Sequence, residues 1–287
     1  MLGDHLPPQL WPVLALEAAI VACALRSGRR LFRAGAWLAV GAVLLFAALN
    51  CGHLAVPPPP SRRQPHKVFG IGLSRTGTTS LTVALHRAGY STYHALPHLL
   101  DGAALARGSA KVDGWWADAY DAQTDIHAAV AYEQLAAAYP NAKFVYSTRE
   151  PAAWARAMRR FMGAHAALFG WLQAAHDAGL SCVPAADALF RLAYGEGWRA
   201  HGEAEWERRY AAHDAAVRHF FREGGPQAGR MLPISFVRGE GWETLAPFLG
   251  LRDPPPGRFP KADVFDVSAK AQPLWQLQNL WAWISDR

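Results

Sequence analysis

Residues 67–90 read KVFGIGLSRTGTTSLTVALHRAGY. A short apolar run leads into a loop of Gly, Ser, Thr and Arg, and then into an amphipathic stretch carrying Leu81, Val83, Ala84 and Leu85. That order predicts a buried strand, a tight connection and a helix, with successive backbone N–H groups and the helix N-terminus turned toward one anion. Gly72 and Gly77 stand at the spacing of the phosphate-binding P-loop, but Thr78 occupies the place where a nucleotide-hydrolysing protein carries lysine. Without that lysine the usual contact to the β- and γ-phosphates of ATP is missing. Arg75, inside the loop, offers instead a permanent cation with a planar fork suited to an oxyanion. Thr78 and Thr79 add donors at the first turn of the helix. The competing reading is a glycine-rich turn with no ligand. A strand feeding a phosphate loop points to an α/β fold, three layers around a central parallel sheet.

Two more stretches extend that sheet. YDAQTDIHAAVAYEQLAAAYPNAKFVYS, residues 120–147, predicts a strand ending near Asp125, a helix over 128–139 and a return into the next strand. Such a βαβ unit connects right-handedly within a parallel sheet. AKFVYSTREPAAWARAM, residues 142–158, reads as a buried strand ending in Arg149 and turning through Pro151 into a helix. Ligands of parallel sheets gather at the carboxyl ends of the strands, so Gly72, Asp125 and Arg149 are expected to share one crevice. Asp125 has two readings: a general base, or a cap for the helix after it. His127 is a second candidate base. A magnesium-binding reading of Asp125 requires an apolar strand before it, which AYDAQTD does not supply.

The loop GLSRTGTTSL resembles the 5′-phosphosulfate loop of sulfotransferases that use 3′-phosphoadenosine 5′-phosphosulfate (PAPS), and residues 142–158 resemble that family's 3′-phosphate motif. By this resemblance the donor-binding residues are Gly72, Ser74, Arg75, Thr76, Gly77, Thr78, Thr79 and Arg149, with Arg149 on the 3′-phosphate. The segment TDIH is similar to the place where cytosolic members carry a catalytic histidine, and Asp125 falls there. Two positions depart from the pattern. Ala157 stands where many relatives have a serine, leaving Arg156 or a C-terminal basic residue to serve the 3′-phosphate, and Ser80 stands where an aromatic often stacks on adenine. MLPISF at 231–236 reads as a further strand. The Gly-Glu-Gly-Trp turn at 239–242, Pro-Phe-Leu-Gly at 247–250 and the pair Phe259–Pro260 resemble a broad algal, fungal and bacterial subgroup of the family.

The remainder of the chain sets the surroundings. Of 287 residues, 51% are hydrophobic and 18% charged, which excludes a disordered tail or a collagen. Cys23, Cys51 and Cys182 permit at most one bridge and no Cys-based zinc site, and His94, His98 and His165 have no metal-ligand spacing. The net charge of +6 suits an anionic ligand but is too diffuse to indicate nucleic acid. Residues 34–56 carry no Asp, Glu, Lys or Arg, enough at helical rise to cross a bilayer core of about 30 Å. Residues 6–25, interrupted by Pro7, Pro8, Pro12 and Glu17, form a weaker span or an interfacial helix. The arginine cluster RSGRRLFR between them belongs in the cytosol and sends the following chain to the other side. A cleavable signal peptide is the alternative.

Four regions are therefore expected: a membrane segment over 1–56, a proline-rich spacer over 57–66, a sulfotransferase-like domain over 67–265 and a helical tail over 266–287. Helices are predicted over 152–176 and 201–222, with Trp154, Phe161, Phe169, Trp171, Trp198 and Trp206 lining an acceptor pocket or filling core. The expected protein is a membrane-anchored PAPS-dependent sulfotransferase, with Asp125, Arg75 and His127 as catalytic candidates and no metal. Its catalytic domain is expected on the non-cytosolic side, Golgi type II in a eukaryote, acting on a glycan, a lipid or a small molecule. A P-loop kinase or nucleotidase, and a non-catalytic nucleotide-binding membrane protein, are the other classes open.

Overall fold

The computed structural model describes residues 64–94, 104, 107–112, 117–118, 120–166 and 184–261. The apolar stretches before residue 57, residues 57–63 of the spacer, the tail beyond 265, the three cysteines, His98, Phe169 and Trp171 lie outside the described residues. Among those that are described, no helix is long and apolar enough to cross a membrane. The elements below lie in a compact unit formed by Val56–His165 with Ala188–Arg287, apart from the first turn of one helix at 184–187.

Among the described residues, five strands form one sheet: β1 (Val68–Gly70), β2 (Thr92–His94), β3 (Ala122–Thr124), β4 (Lys143–Ser147) and β5 (Met231–Ile234). Every pairing is parallel and the order is β2-β3-β1-β4-β5. Seven helices within the described residues accompany them: α1 (Thr78–Arg87), α2 (Ile126–Val130), α3 (Tyr132–Ala138), α4 (Pro151–Ala164), α5 (Pro184–Tyr194), α6 (Glu203–Phe220) and α7 (Trp242–Leu249).

Strand alternation distributes the layers. Val68 and Val145 pack with Leu81 and Leu85 of α1 and with Leu245 and Leu249 of α7 on one face. Phe144 and Tyr146, one residue either side of Val145, meet Phe221 and His213 at the α6 side. Helix α4 packs along α6. β1 to β4 are short and almost wholly buried, as in a sheet covered on both faces, while the edge strand β5 is largely accessible. β2 and β3 differ in composition: Thr92, His94, Gln123 and Thr124 are buried polar residues.

Two helices differ from expectation. The helix expected over 128–139 is two helices, because Ala131 at φ −114° opens the ladder. That break leaves α2 under the strand tip while Tyr132 turns to meet His213 and Phe220 edge-on. The helix expected over 152–176 ends at Ala164, with Gly163 weakening its last turn.

Candidate functional site

The loop from Ile71 to Gly77 sits directly on the tip of β4. A Cβ on Gly72 would lie 2.1 Å from Ser147 Oγ and 2.5 Å from the Ser147 carbonyl oxygen, so only glycine permits this approach. Thr76 is fully buried; its hydroxyl donates to the Leu73 carbonyl at 2.7 Å and meets Ser147 Oγ at 2.7 Å. Trp154 Nε1, from α4, donates to the Ser74 carbonyl at 2.8 Å. Gly77 then turns the chain into α1 at φ 103°, against the ring of Phe236. The first N–H groups of α1 have no acceptor within the helix and open toward the loop. Loop, strand tip and helix end thus form a concave row of donors at the β1/β4 edge. There the chain parts, running from β1 to one side of the sheet and from β4 to the other, which is where open parallel sheets place their ligands.

Asp125, the residue after β3, reaches this row. Ser74 Oγ donates to Asp125 Oδ1 at 3.0 Å, and Thr78 Oγ1 donates to the same oxygen at a longer 3.4 Å. Oδ2 has no hydrogen-bond partner among the described residues. The backbone at Asp125 has φ 96° and ψ −170°, a region that essentially only glycine occupies. Its side chain makes no capping bond to α2; the backbone carbonyl alone accepts from Ala128 and Ala129. Of the two readings of this residue, the structure shows the carboxylate turned to the loop rather than to the helix. Arg75 is also left-handed, at φ 70°.

Cations define the opposite rim. Arg149 Nη1 donates to the Arg75 carbonyl at 3.3 Å, and its backbone N–H donates to the Tyr210 hydroxyl at 2.9 Å. Arg149 Nε is buried without a partner. Burial, then the nearby guanidinium groups of Arg160, Arg75 and Arg156, depress the pKa of Arg149. The acidic neighbour, Glu150, is committed elsewhere: its two oxygens accept from the N–H groups of Ala152 and Ala153 and cap α4. The Arg75 guanidinium lies over the ring of Phe161, 5.5 Å from its centroid. Positive charge therefore accumulates around one concave row of N–H donors.

Residues 67–265 match the sulfotransferase domain family. The chain belongs to this family. It is also similar to a curated protein of Aspergillus versicolor described as Ava biosynthesis cluster protein M, with 26% identity over 206 residues that cover 64% of this chain and 75% of that one.

The candidate site thus gathers Ser74, Arg75, Gly77, Thr78, Asp125 and Arg149, while Thr76 and Thr79 turn their hydroxyls inward. Thr76 uses its hydroxyl inside the loop, and Thr79 Oγ1 lies 3.3 Å from His94 Nε2. His94 Nδ1 lies 2.8 Å from Thr124 Oγ1 and 3.0 Å from Thr82 Oγ1, a buried polar set tying α1 to β2 and β3. His127 is fully buried with its ring edge-on to Tyr93, so it faces core. Trp154, Trp198 and Trp206 are core, not pocket lining. Among the described residues no group of His, Cys, Asp or Glu is placed to hold a metal ion.

Three residues that sequence reasoning did not single out belong here. Ser147 seats the loop, Tyr210 holds the Arg149 backbone, and Tyr194 ends α5 beside the loop. The Tyr194 hydroxyl is buried without a hydrogen-bond partner. Burial is the main cause that pushes its phenol well up; the neighbouring Ser74 opposes that shift and the Asp125 charge adds to it. No spacing signals such a residue: an aromatic at the end of an amphipathic helix looks like any core aromatic.

Proposed function

We propose that this sulfotransferase takes its sulfuryl group from PAPS and transfers it to a hydroxyl or amine of an acceptor, with Asp125 as general base. The observation that carries the reading is the Asp125 carboxylate, held through Oδ1 by two loop hydroxyls in a glycine-like backbone conformation, with Oδ2 left over. A helix cap needs neither the strain nor the loop contact. The buried, unpartnered Nε of Arg149 within a group of arginines fits a second anionic site, as a 3′-phosphate would require. His127, in the core, has no path to an acceptor.

PAPS supplies the sulfuryl group and leaves as the 3′,5′-bisphosphate of adenosine. Oδ2 of Asp125 receives the acceptor's proton as the acceptor oxygen bonds to sulfur and the bond from sulfur to the 5′-phosphate oxygen breaks. Arg75 and the amides of the loop and of the first turn of α1 hold the transferring group and neutralise the charge that grows on the departing phosphate oxygen. Arg149 fixes the other end of the donor, and the loop hydroxyls keep the base aligned.

The test uses labelled PAPS and a cell extract as the source of acceptors. Asp125→Asn is expected to lower transfer on the order of a hundred- to ten-thousandfold, while the bisphosphate still raises the melting temperature of the variant. Wild-type turnover by Asp125→Asn would remove this residue from the mechanism. Arg149→Ala is expected to erase the preference for the bisphosphate over ATP in the same thermal-shift measurement, since a ligand selective for the folded state raises its melting point.

A further inference from the structure

On the proposed reading of the phosphate loop and the first turn of α1 as the donor's 5′ site, which this step requires, we infer that His94 is a positioning residue that takes the hydroxyl proton of Thr79. It thereby withholds this side chain from the sulfuryl donor and leaves Thr79 only its amide to offer. The order of protons in the buried polar set at the tips of β2 and β3 leads there. Thr82 has one hydroxyl proton, and the Thr78 carbonyl, an acceptor only, receives it at 2.9 Å. Thr82 Oγ1 and Thr124 Oγ1 stand 2.6 Å apart, so the proton between them comes from Thr124. Both hydroxyl protons are then committed, yet His94 Nδ1 lies 2.8 Å from Thr124 Oγ1 and 3.0 Å from Thr82 Oγ1. A proton on Nδ1 serves both oxygens.

The reverse order does not fit these distances. With Nδ1 bare, Thr124 would donate to the ring and Thr82 to Thr124, leaving no proton for the Thr78 carbonyl or for the 3.0 Å approach of Thr82 Oγ1 to Nδ1. Buried polar atoms that close need a proton between them. Burial holds the ring neutral, so a proton on Nδ1 makes Nε2 an acceptor. Thr79 Oγ1, 3.3 Å from Nε2, is therefore the donor of that bond. The loop hydroxyls are committed likewise: Ser74 and Thr78 donate to Asp125 Oδ1, and Thr76 to the Leu73 carbonyl. Thr79 stands in the first turn of α1, where a released hydroxyl proton would add a donor for the anion. His94 thus decides which groups of that turn the anion meets.

The test uses full-length protein carrying isotope-labelled histidine, with nitrogen NMR of the ring and calorimetric titration of the 3′,5′-bisphosphate. It compares wild type, Thr79→Val, His94→Asn and the double variant. Asparagine keeps a donor near the place of Nδ1 and removes the acceptor of Thr79. The His94 signals, those missing from His94→Asn, are expected to show a proton on Nδ1 and none on Nε2. Thr79→Val is expected to leave the bisphosphate dissociation constant within about twofold of wild type. In the His94→Asn background, with the threonine proton released, the same change is expected to weaken binding about tenfold, the usual strength of a hydrogen bond to a charged group. A residue that merely packs would give the same response in both backgrounds. A proton on Nε2, a tenfold loss from Thr79→Val in wild type, or no loss in either background overturns the inference. Should His94→Asn not fold, the wild-type ring, assigned through the shift of its Nε2 signal in Thr79→Val, decides together with the affinity of Thr79→Val. A wild type that does not bind the bisphosphate defeats the donor reading and the withholding with it. Binding beside a ring protonated on Nε2 defeats the withholding alone.

Discussion

Asp125 combines two properties that rarely coincide in a residue with a side chain: a glycine-like backbone and a buried carboxylate bonded to a loop. Strain of this kind costs roughly 1–3 kcal/mol and persists where surrounding structure enforces it. Asp125→Gly removes the side chain and the strain together, whereas Asp125→Ala removes the carboxylate and keeps the strain. Urea unfolding is therefore expected to rank Asp125→Gly above Asp125→Ala by about 1–3 kcal/mol, with transfer lost in both. The opposite order would mean that the backbone here is relaxed. The sequence places this residue at a strand tip but leaves base and cap unresolved, because both roles ask for an Asp just before a helix. The backbone angle and the partner of Oδ1 separate them, and neither is written in residue spacing.

The phosphate loop depends on how closely β1 and β4 let it settle. Gly72→Ala places a methyl group inside the Ser147 hydroxyl and is expected to cost about 1–3 kcal/mol or more by overpacking. The bisphosphate melting shift should shrink with it, because the displaced loop carries the donors. A variant that keeps the full shift would show that the seat on Ser147 does not shape the anion site. The strand, loop and helix were legible from 67–90, since apolar run, glycine spacing and amphipathic period all agree. The direction of each loop hydroxyl was not. Ser74, Thr76, Thr78 and Thr79 look equivalent in sequence, yet Thr76 bonds Ser147 while Ser74 bonds Asp125. Partners between 47 and 71 positions away make that choice. Tyr194 was hidden for the same reason.

Across the molecule, three histidines, His94 buried and His66 and His213 partly buried, link stability to acidity. Burial holds His94 and His213 below the usual range, and burial followed by the charge of Lys143 brings His66 down to about 4. The folded state thus prefers them neutral, and the unfolded chain binds more protons once the pH falls below their ordinary value of 6.5. Stability is complete above that value and declines as the pH falls from about 6.5 toward 4. A urea midpoint measured at pH 7.5, 6 and 5 is expected to drop at the last two, and His66→Gln should remove part of the drop. A midpoint constant across this range would contradict the burial of these rings.

The arginine rim has a preparative consequence. Arg75, Arg149, Arg156 and Arg160 crowd one another, and the carboxylate best placed to relieve them is turned into the start of α4. Self-repulsion of that kind makes the cleft greedy for any polyanion. Protein purified from a lysate at low salt is expected to carry nucleotide with it, visible as excess absorbance at 260 nm that a high-salt wash removes.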